Sequence, residues 1–226
     1  MLKEQLKLHK EEFQLERVAL FSDAVFAIAI TLLIIEIKIP SFGESHSPTD
    51  KEFLNYFVTV MFQKFIGFFV SFLVIGLYWL VHHRMFRYLI HYNRKLLWNN
   101  LLFLLSIVLM PFSSAFLSEY FIMMSHVPLG FYTLNICFTG FMTSRLWRII
   151  SNPKYKLSEG LDDKILMQYN TVRAFIIPVF FIIIFLVTYI NPWVASSILL
   201  LLPLVSKLVN NYYKKKHPEM MKSHIL

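Results

Sequence analysis

The chain has 226 residues, of which 57% are hydrophobic and 17% aromatic, and its net charge is +8. This composition is too apolar for a soluble domain that must solvate its surface, so it predicts an integral membrane protein. Cys137 is the single cysteine, which excludes intramolecular disulfides and cysteine-based metal sites. The basic residues lie at the ends of apolar segments instead of forming one patch, which argues against nucleic-acid binding.

Six apolar segments are long enough to cross a bilayer, and they predict an all-α membrane protein. They cover approximately residues 18–39, 57–81, 97–118, 127–149, 170–190 and 193–209. The first is too long for the apolar part of a signal peptide, so we expect it to be retained. Residues 1–210 are predicted to form one transmembrane domain, followed by a basic tail at 211–226 that faces anionic lipid.

The distribution of basic residues predicts the orientation of these helices. If the N-terminus is cytoplasmic, all but three of the 22 lysines and arginines lie on the cytoplasmic side, and the three exceptions are Lys38, Lys51 and Lys64. Such asymmetry is typical of short cytoplasmic loops in multi-pass proteins. We therefore expect a plasma-membrane protein with both termini in the cytoplasm.

The first helix carries a series of residues separated alternately by four and three positions. This spacing keeps a stripe on one face of a helix that meets identical neighbours, and the stripe could line a symmetry axis. An apolar helix can produce such a series by composition alone, but the one polar residue in its middle, Thr31, belongs to the series. The stripe consists of Arg17, Phe21, Ala24, Ile28, Thr31, Ile35 and Lys38.

Ser22 and Asp23 stand where the hydrocarbon should begin. An ionisable group at the centre of a spanning helix costs about 2.5–3.5 kcal/mol, less near an end, and is a functional candidate. On a helical wheel Asp23 lies about 120° from the stripe and Ser22 lies on the opposite flank. Both are therefore predicted to tie the first helix to its own bundle, with possible partners Trp79, His82, His83, Trp98, Asn99 and Asn100.

The segment RVALFSD, followed by AVFAIAITLLIIEI, resembles the Arg-x-x-x-Phe-Ser-Asp signature of the transmembrane protein 175 family of potassium channels, in its short prokaryotic form. Arg17, Phe21, Ser22 and Asp23 occupy the four signature positions. The segments YWLVHHRMF and LLWNNLLFLL are similar to the second and third helices of that family. The resemblance implies a homotetramer of six-helix subunits whose first helices surround a central cation pore.

The resemblance also implies an unusual selectivity filter. The chain contains no Thr-Val-Gly-Tyr-Gly segment, which forms the carbonyl-lined filter of ordinary potassium channels. In this family apolar side chains of the first helix constrict the pore, and the matching positions here are Ile28, then Thr31 or Leu32, then Ile35. The implied function is a potassium channel of modest selectivity, with potassium as the permeant ion and no cofactor.

Other functions depend on the polar residues of the first three helices. His82 and His83 could serve structural hydrogen bonds or pH sensing, because histidine titrates near neutrality. A proton-coupled small transporter that uses Asp23 is the alternative function. An intramembrane enzyme or metal site is not predicted, because these residues lack a suitable spacing of histidines and carboxylates. Arg17 is expected to turn away from the axis and to pair with an acidic group or a carbonyl.

Overall fold

The computed structural model describes residues 2–39, 49–120, 126–159, 161 and 164–218, with side chains from His9 onward. Within these residues the chain is helical and has no strand, which confirms the predicted all-α fold. A π-helical turn at Phe57–Met61 joins α2 to α3, and a 3₁₀ turn at Leu199–Leu201 joins α7 to α8, so the helices form six rods. The helices are α1 (Leu2–Ile35), α2 (Asp50–Tyr56), α3 (Phe62–Phe86), α4 (Arg94–Tyr120), α5 (His126–Ile150), α6 (Lys164–Thr188), α7 (Pro192–Ile198) and α8 (Leu202–Lys216).

Five of the six rods are long and apolar enough to cross a membrane: His9–Ile35, Asp50–Phe86, Arg94–Tyr120, Lys164–Thr188 and Pro192–Lys216. The sixth rod, α5, has a similar length but carries more polar residues. Thr139 and Thr143 are buried there, and each donates a hydrogen bond to a carbonyl one turn earlier, at 2.9 and 2.8 Å. Helix α5 is therefore sheltered by its neighbours, and its crossing of the membrane remains a prediction.

The rods pack in chain order. Helix α1 packs on α3 and α4, α4 on α5, α5 on α6, and α6 carries α7 and α8 at the outside of the bundle. Helices α5 and α6 approach closely at Gly140, where a Cβ atom would lie 2.3 Å from Cγ of Pro178. Glycine is therefore required at this crossing. Helix α1 lies at the opposite edge of the bundle, which leaves one of its faces uncovered.

Helix α1 begins much earlier than the apolar segment predicted at 18–39. Residues 2–16 are polar, but they are rich in lysine, glutamate, glutamine and leucine, which have high helix propensity. A search for apolar segments does not detect such an extension. The extension is held to the α3–α4 loop by Glu11, whose Oε2 lies 2.6 Å from Nδ1 of His91.

Loop contacts show which helix ends share a side of the bundle. Backbone hydrogen bonds join Leu157 to Ile90 and Glu159 to Tyr88, so the α3–α4 and α5–α6 loops meet on the side where α1 begins. We call this side the basic end, because it carries most of the lysines and arginines of the described residues. At the other end Lys64 forms an ion pair with Glu119, with Nζ and Oε2 2.6 Å apart.

Candidate functional site

One face of α1 is buried against its own bundle. Ser22, Phe26, Ala29 and Leu33 follow one another at intervals of three and four residues, and none is more than 3% exposed. This spacing places them in one row along an α-helix. The row faces α3 and α4, which are the helices that α1 contacts most. The buried row therefore fixes the rotation of α1 about its own axis.

Polar residues reinforce this row near the basic end. The indole Nε1 of Trp79 donates a hydrogen bond to Oδ1 of Asp23 at 2.8 Å. Asn100 Nδ2 donates to Ser22 Oγ at 2.9 Å, and Ser22 Oγ donates to the carbonyl of Val18 at 2.8 Å. We call Ser22, Asp23, Trp79, His82 and Asn100 the polar anchor. It connects α1 to α3 through Trp79 and to α4 through Asn100.

His82 completes the polar anchor from the interior of the bundle. Its Nε2 lies 2.9 Å from Oδ1 of Asn100, and the residue is 1% exposed. An amide oxygen can only accept, so Nε2 must carry the hydrogen. The imidazole stacks on Phe86 and Phe103, with ring centroids 4.2 and 5.4 Å apart. The ring is thus enclosed by aromatic groups and held by its hydrogen bond to Asn100.

The other predicted partners do not join the polar anchor. His83 is exposed, and its ring contacts that of Trp79 at 5.5 Å between centroids. Trp98 is 56% exposed on the outer side of α4. Asn99 donates to the carbonyl of Lys95 in its own helix, at 2.7 Å. Positions 98 and 99 lie about 200° and 100° around α4 from Asn100, so they cannot reach the same neighbour.

The opposite face of α1 is bare. Phe21, Ile28, Leu32 and Ile35 are between 39% and 69% exposed, and Ala24 and Thr31 are also exposed. All the described members of the predicted stripe therefore point away from the bundle. The hydroxyl of Thr31 donates to the carbonyl of Ile28 at 2.9 Å, so its oxygen lone pairs remain available on this face.

Arg17 lies at the basic end of the stripe and is exposed. Its Nη1 donates to the amide oxygen of Gln14, one turn earlier, at the long distance of 3.4 Å. A single long contact on the surface holds the side chain weakly.

Among the residues that the structure describes, no three histidines, cysteines or carboxylates lie close enough together to hold a metal ion. The polar anchor contains one carboxylate, and the indole of Trp79 occupies one of its oxygens. Its groups hydrogen-bond mainly to one another. The arrangement is suited to joining helices, while the bare stripe is suited to contact with ions, lipid or further copies of α1.

The bundle of spanning helices defines a multi-pass membrane protein, and the bare, largely apolar stripe leaves its first helix open to contacts outside the single chain. Residues 17–111 match the family described as endosomal/lysosomal potassium channel TMEM175, and the match begins at Arg17. Over these residues the chain is similar to the TMEM175 family, which is a family of ion channels and not of enzymes.

Individual relatives agree with this assignment. The chain is 38% identical over 133 residues to a potassium channel of Streptomyces collinus, a match that covers 58% of this chain and 62% of that protein. It is 28% identical over 206 residues to a potassium channel of Chamaesiphon minutus, covering 89% of this chain and 97% of that protein.

A solved structure shares the fold. The crystal structure of a lysosomal potassium-selective channel TMEM175 homologue from Chamaesiphon minutus superposes with a TM-score of 0.66 at 25% sequence identity. The superposition covers 87% of this chain and 98% of that chain. The likeness of the fold therefore extends beyond residues 17–111.

Proposed function

We propose that four copies of the chain assemble with α1 around a central axis and form a potassium-selective cation channel. The channel lies in the plasma membrane, with the basic end and both termini in the cytoplasm. The observation that carries the proposal is the exposure of the stripe on α1 while the opposite face of the same helix is buried. The names of the potassium-channel relatives support potassium as the permeant ion.

Ile28 forms the narrowest ring of the proposed pore. Its side chain is 59% exposed in one chain, and four copies around an axis would offer an ion no oxygen ligands. An ion must then lose part of its hydration shell without replacement, and a narrow apolar ring can also expel water. Potassium holds its water less tightly than sodium, so the ring favours potassium modestly. Leu32 and Ile35 extend this apolar lining.

Thr31 is the only residue in this part of the stripe that carries a side-chain oxygen. Because its hydroxyl hydrogen is directed to the carbonyl of Ile28, its lone pairs can face the pathway and accept contact from an ion or its water. The ring of four hydroxyls stands next to the Ile28 ring and replaces some of the lost water. Selectivity is therefore weaker than in a filter lined by carbonyl groups.

The polar anchor sets how the stripe is presented to the axis. The hydrogen bonds of Ser22 and Asp23 hold α1 against α3 and α4 at a defined rotation. Hydrogen bonds between transmembrane helices are worth about 0.6–2 kcal/mol each, so the anchor selects an orientation without locking the fold. In this proposal the signature residues act on assembly and opening, and the stripe acts on permeation.

Planar-bilayer recording of the purified protein tests the proposal. We expect unitary currents with a reversal potential that favours potassium over sodium, and a particle mass of four chains. Ile28→Asn should wet the ring, raise the current and lower the potassium preference, whereas Ile28→Phe should reduce the current. Ile34→Asn is the control, because Ile34 is 46% exposed but lies about 100° around α1 from the stripe.

A monomer that conducts would contradict the assembly. Ile28 variants that match the unmodified protein in current and reversal potential, while Ile34→Asn does not, would show that a different face of α1 lines the pathway. The alternative of a proton-coupled transporter using Asp23 is not favoured, because Trp79 binds that carboxylate away from the stripe. A transporter would also give no unitary currents in the same recordings.

A further inference from the structure

The polar start of α1 buries little of its surface. From His9 to Phe21 no side chain is buried, and the first buried residue of the helix is Ser22. A groove of about 490 Å³ lies between this part of α1 and the end of α3 with the loop that follows it. A segment with little buried surface opens locally at a low cost in free energy. The extension therefore depends on individual contacts across the groove, which is lined by Glu12, Leu15, Glu16, Phe86, Leu89 and Ile90.

Glu11 and His91 join the extension to the α3–α4 loop. Oε2 of Glu11 lies 2.6 Å from Nδ1 of His91, and the two side chains are 30% and 41% exposed. The backbone N–H groups of His91 and Ile90 both donate to the carbonyl of Leu157, at 3.2 and 2.9 Å, and Leu157 is 1% exposed. His91 is therefore held in place by the main chain of two loops, whereas Glu11 belongs to a segment without buried side chains.

The strength of this contact depends on the protonation of His91. A neutral imidazole with its hydrogen on Nδ1 donates one hydrogen bond to the carboxylate, whereas a protonated imidazole makes the same bond and adds an ion pair. Histidine ordinarily changes its charge between about pH 5 and pH 8. The ion pair is therefore complete at the acidic end of this range and is lost as the pH rises through it.

Other charged and titratable groups lie on the elements around His91. Among these residue types only histidine ordinarily changes its charge between pH 6 and pH 8, because carboxylates titrate at lower pH and tyrosine, lysine and arginine at higher pH. His9 and His83 must therefore be distinguished from His91: Nδ1 of His9 lies 3.9 Å from Oε2 of Glu12 in its own helix, and the His83 ring contacts that of Trp79. The groups are His9, Glu12 and Glu16 of α1, His83, Arg87 and Tyr88 at the end of α3, Tyr92 and Arg94 at the start of α4, and Lys156 and Glu159 of the α5–α6 loop.

We propose that Glu11 and His91 form a proton-sensitive latch, which holds the extension of α1 at about pH 6 and releases it as the pH rises to about 8. Glu11 lies about 17 Å along α1 from Ser22, and the helix is continuous between them. A continuous helix carries a displacement of one end along its length, so the latch acts on the polar anchor and the stripe. This regulation of opening rests on the proposed channel function. Because a fixed α1 favours opening in that proposal, release of the latch should lower the open probability.

Hydrogen–deuterium exchange of the whole protein in detergent micelles tests the latch without any current. Mass spectrometry follows the backbone amides of residues 9–16 at pH 6 and pH 8, with exchange times corrected for the intrinsic effect of pH. We expect these amides to be about threefold more protected at pH 6, which is the effect of a partly exposed ion pair. Amides in the middle of α5 are the internal reference, and their protection should be the same at both pH values.

Three changes at the latch separate protonation from unfolding. His91→Gln and Glu11→Gln keep a hydrogen-bonding side chain but cannot form the ion pair, so each should remove the difference between the two pH values. His91→Lys keeps a positive charge at both pH values, so the extension should stay protected at both. His9→Gln and His83→Gln are the controls, and both should keep the threefold difference.

Bilayer recording tests the regulation of opening. When the pH is changed on the side that faces the basic end, the open probability should be about threefold higher at pH 6 than at pH 8, and His91→Gln should remove this difference. A pH change on the opposite side alone should have no effect. Absence of any current would contradict the proposed channel function, and the exchange experiment would still decide whether the latch exists.

The opposite results would overturn the proposal. Equal protection of residues 9–16 at both pH values, or the same pH difference in His91→Gln as in the unmodified protein, would show that the contact is not a latch. Loss of the difference in a control variant, while His91→Gln keeps it, would have the same meaning. Exchange that depends on pH, with an open probability that does not or that responds from the opposite side, would show that the latch does not regulate the channel.

Discussion

The two faces of α1 have the same kind of side chains but opposite environments. Phe26 and Leu33 are at most 3% exposed, whereas Ile28 and Ile35 on the other face are 59% and 69% exposed. In a soluble protein the second face would be polar. Here it is apolar apart from Thr31 and the residues at its ends. One face therefore carries the fold of the single chain, and the other is left for contacts outside it.

A second buried polar cluster shows what is particular about the anchor. Ser71 donates to Ser114 at 2.7 Å, and its oxygen lies 2.9 Å from the hydroxyl of Tyr132. This cluster joins α3, α4 and α5 and does not include α1. The polar anchor, in contrast, holds α1. Loss of a hydrogen bond from either cluster should therefore lower the free energy of unfolding by a similar amount, but only loss from the polar anchor should alter conduction.

Phe26→Ala should have the largest effect on the fold. The side chain is 1% exposed and contacts the rings of His82 and Phe103. Removal of a buried phenyl ring costs about 3–5 kcal/mol. The control is Phe21→Ala, because Phe21 is 52% exposed on the stripe and should cost about 0.5 kcal/mol or less. Unfolding in mixed detergent micelles measures both, and equal losses would contradict the division of α1 into two faces.

Asp23→Asn should have an intermediate effect. The asparagine oxygen can still accept from Trp79, but the charge-assisted part of the bond is lost, at a cost of about 1 kcal/mol. Open probability or tetramer yield should fall while the reversal potential stays the same. In a double-mutant cycle with Trp79→Phe the two losses should not add. A change of selectivity with intact assembly would place Asp23 in the pathway.

Ser22→Ala should cost slightly less, about 0.6–1 kcal/mol, through the hydrogen bond from Asn100. Ser71→Ala is the matched control, because it removes a buried serine from the cluster that excludes α1. Both variants should lower the midpoint temperature of thermal unfolding by a similar amount. Single-channel recording should separate them, because only Ser22→Ala loosens the rotation of α1; equal open probabilities would show that the anchor does not control the stripe.

The sequence predicted the helical bundle, and it placed Ser22 and Asp23 on the side of α1 that meets other helices. It did not distinguish Trp79 from Trp98, because α3 and α4 are apolar around most of their circumference and their wheels show no clear buried face. Apolar segments in the sequence also do not predict the π-helical turn at Phe57–Met61 or the polar start of α1. These features arise from packing and helix propensity, which hydropathy does not measure.

Thr31→Val should have the smallest effect on the fold and a measurable effect on permeation. The hydroxyl bonds only to the carbonyl of Ile28 in its own helix, so we expect the free energy of unfolding to change by about 0.5 kcal/mol or less. Thr188→Val is the control, because the Thr188 hydroxyl also donates to a carbonyl one turn earlier in its own helix, that of Ile184 on α6, at 2.7 Å. If Thr31 replaces water around the ion, its loss should lower the potassium-to-sodium permeability ratio about twofold to tenfold, the equivalent of one hydrogen bond. Reversal potentials with potassium on one side and sodium on the other measure this ratio. An unchanged ratio in Thr31→Val would mean that the hydroxyl does not contact the ion, and the selectivity would then belong to the apolar rings alone.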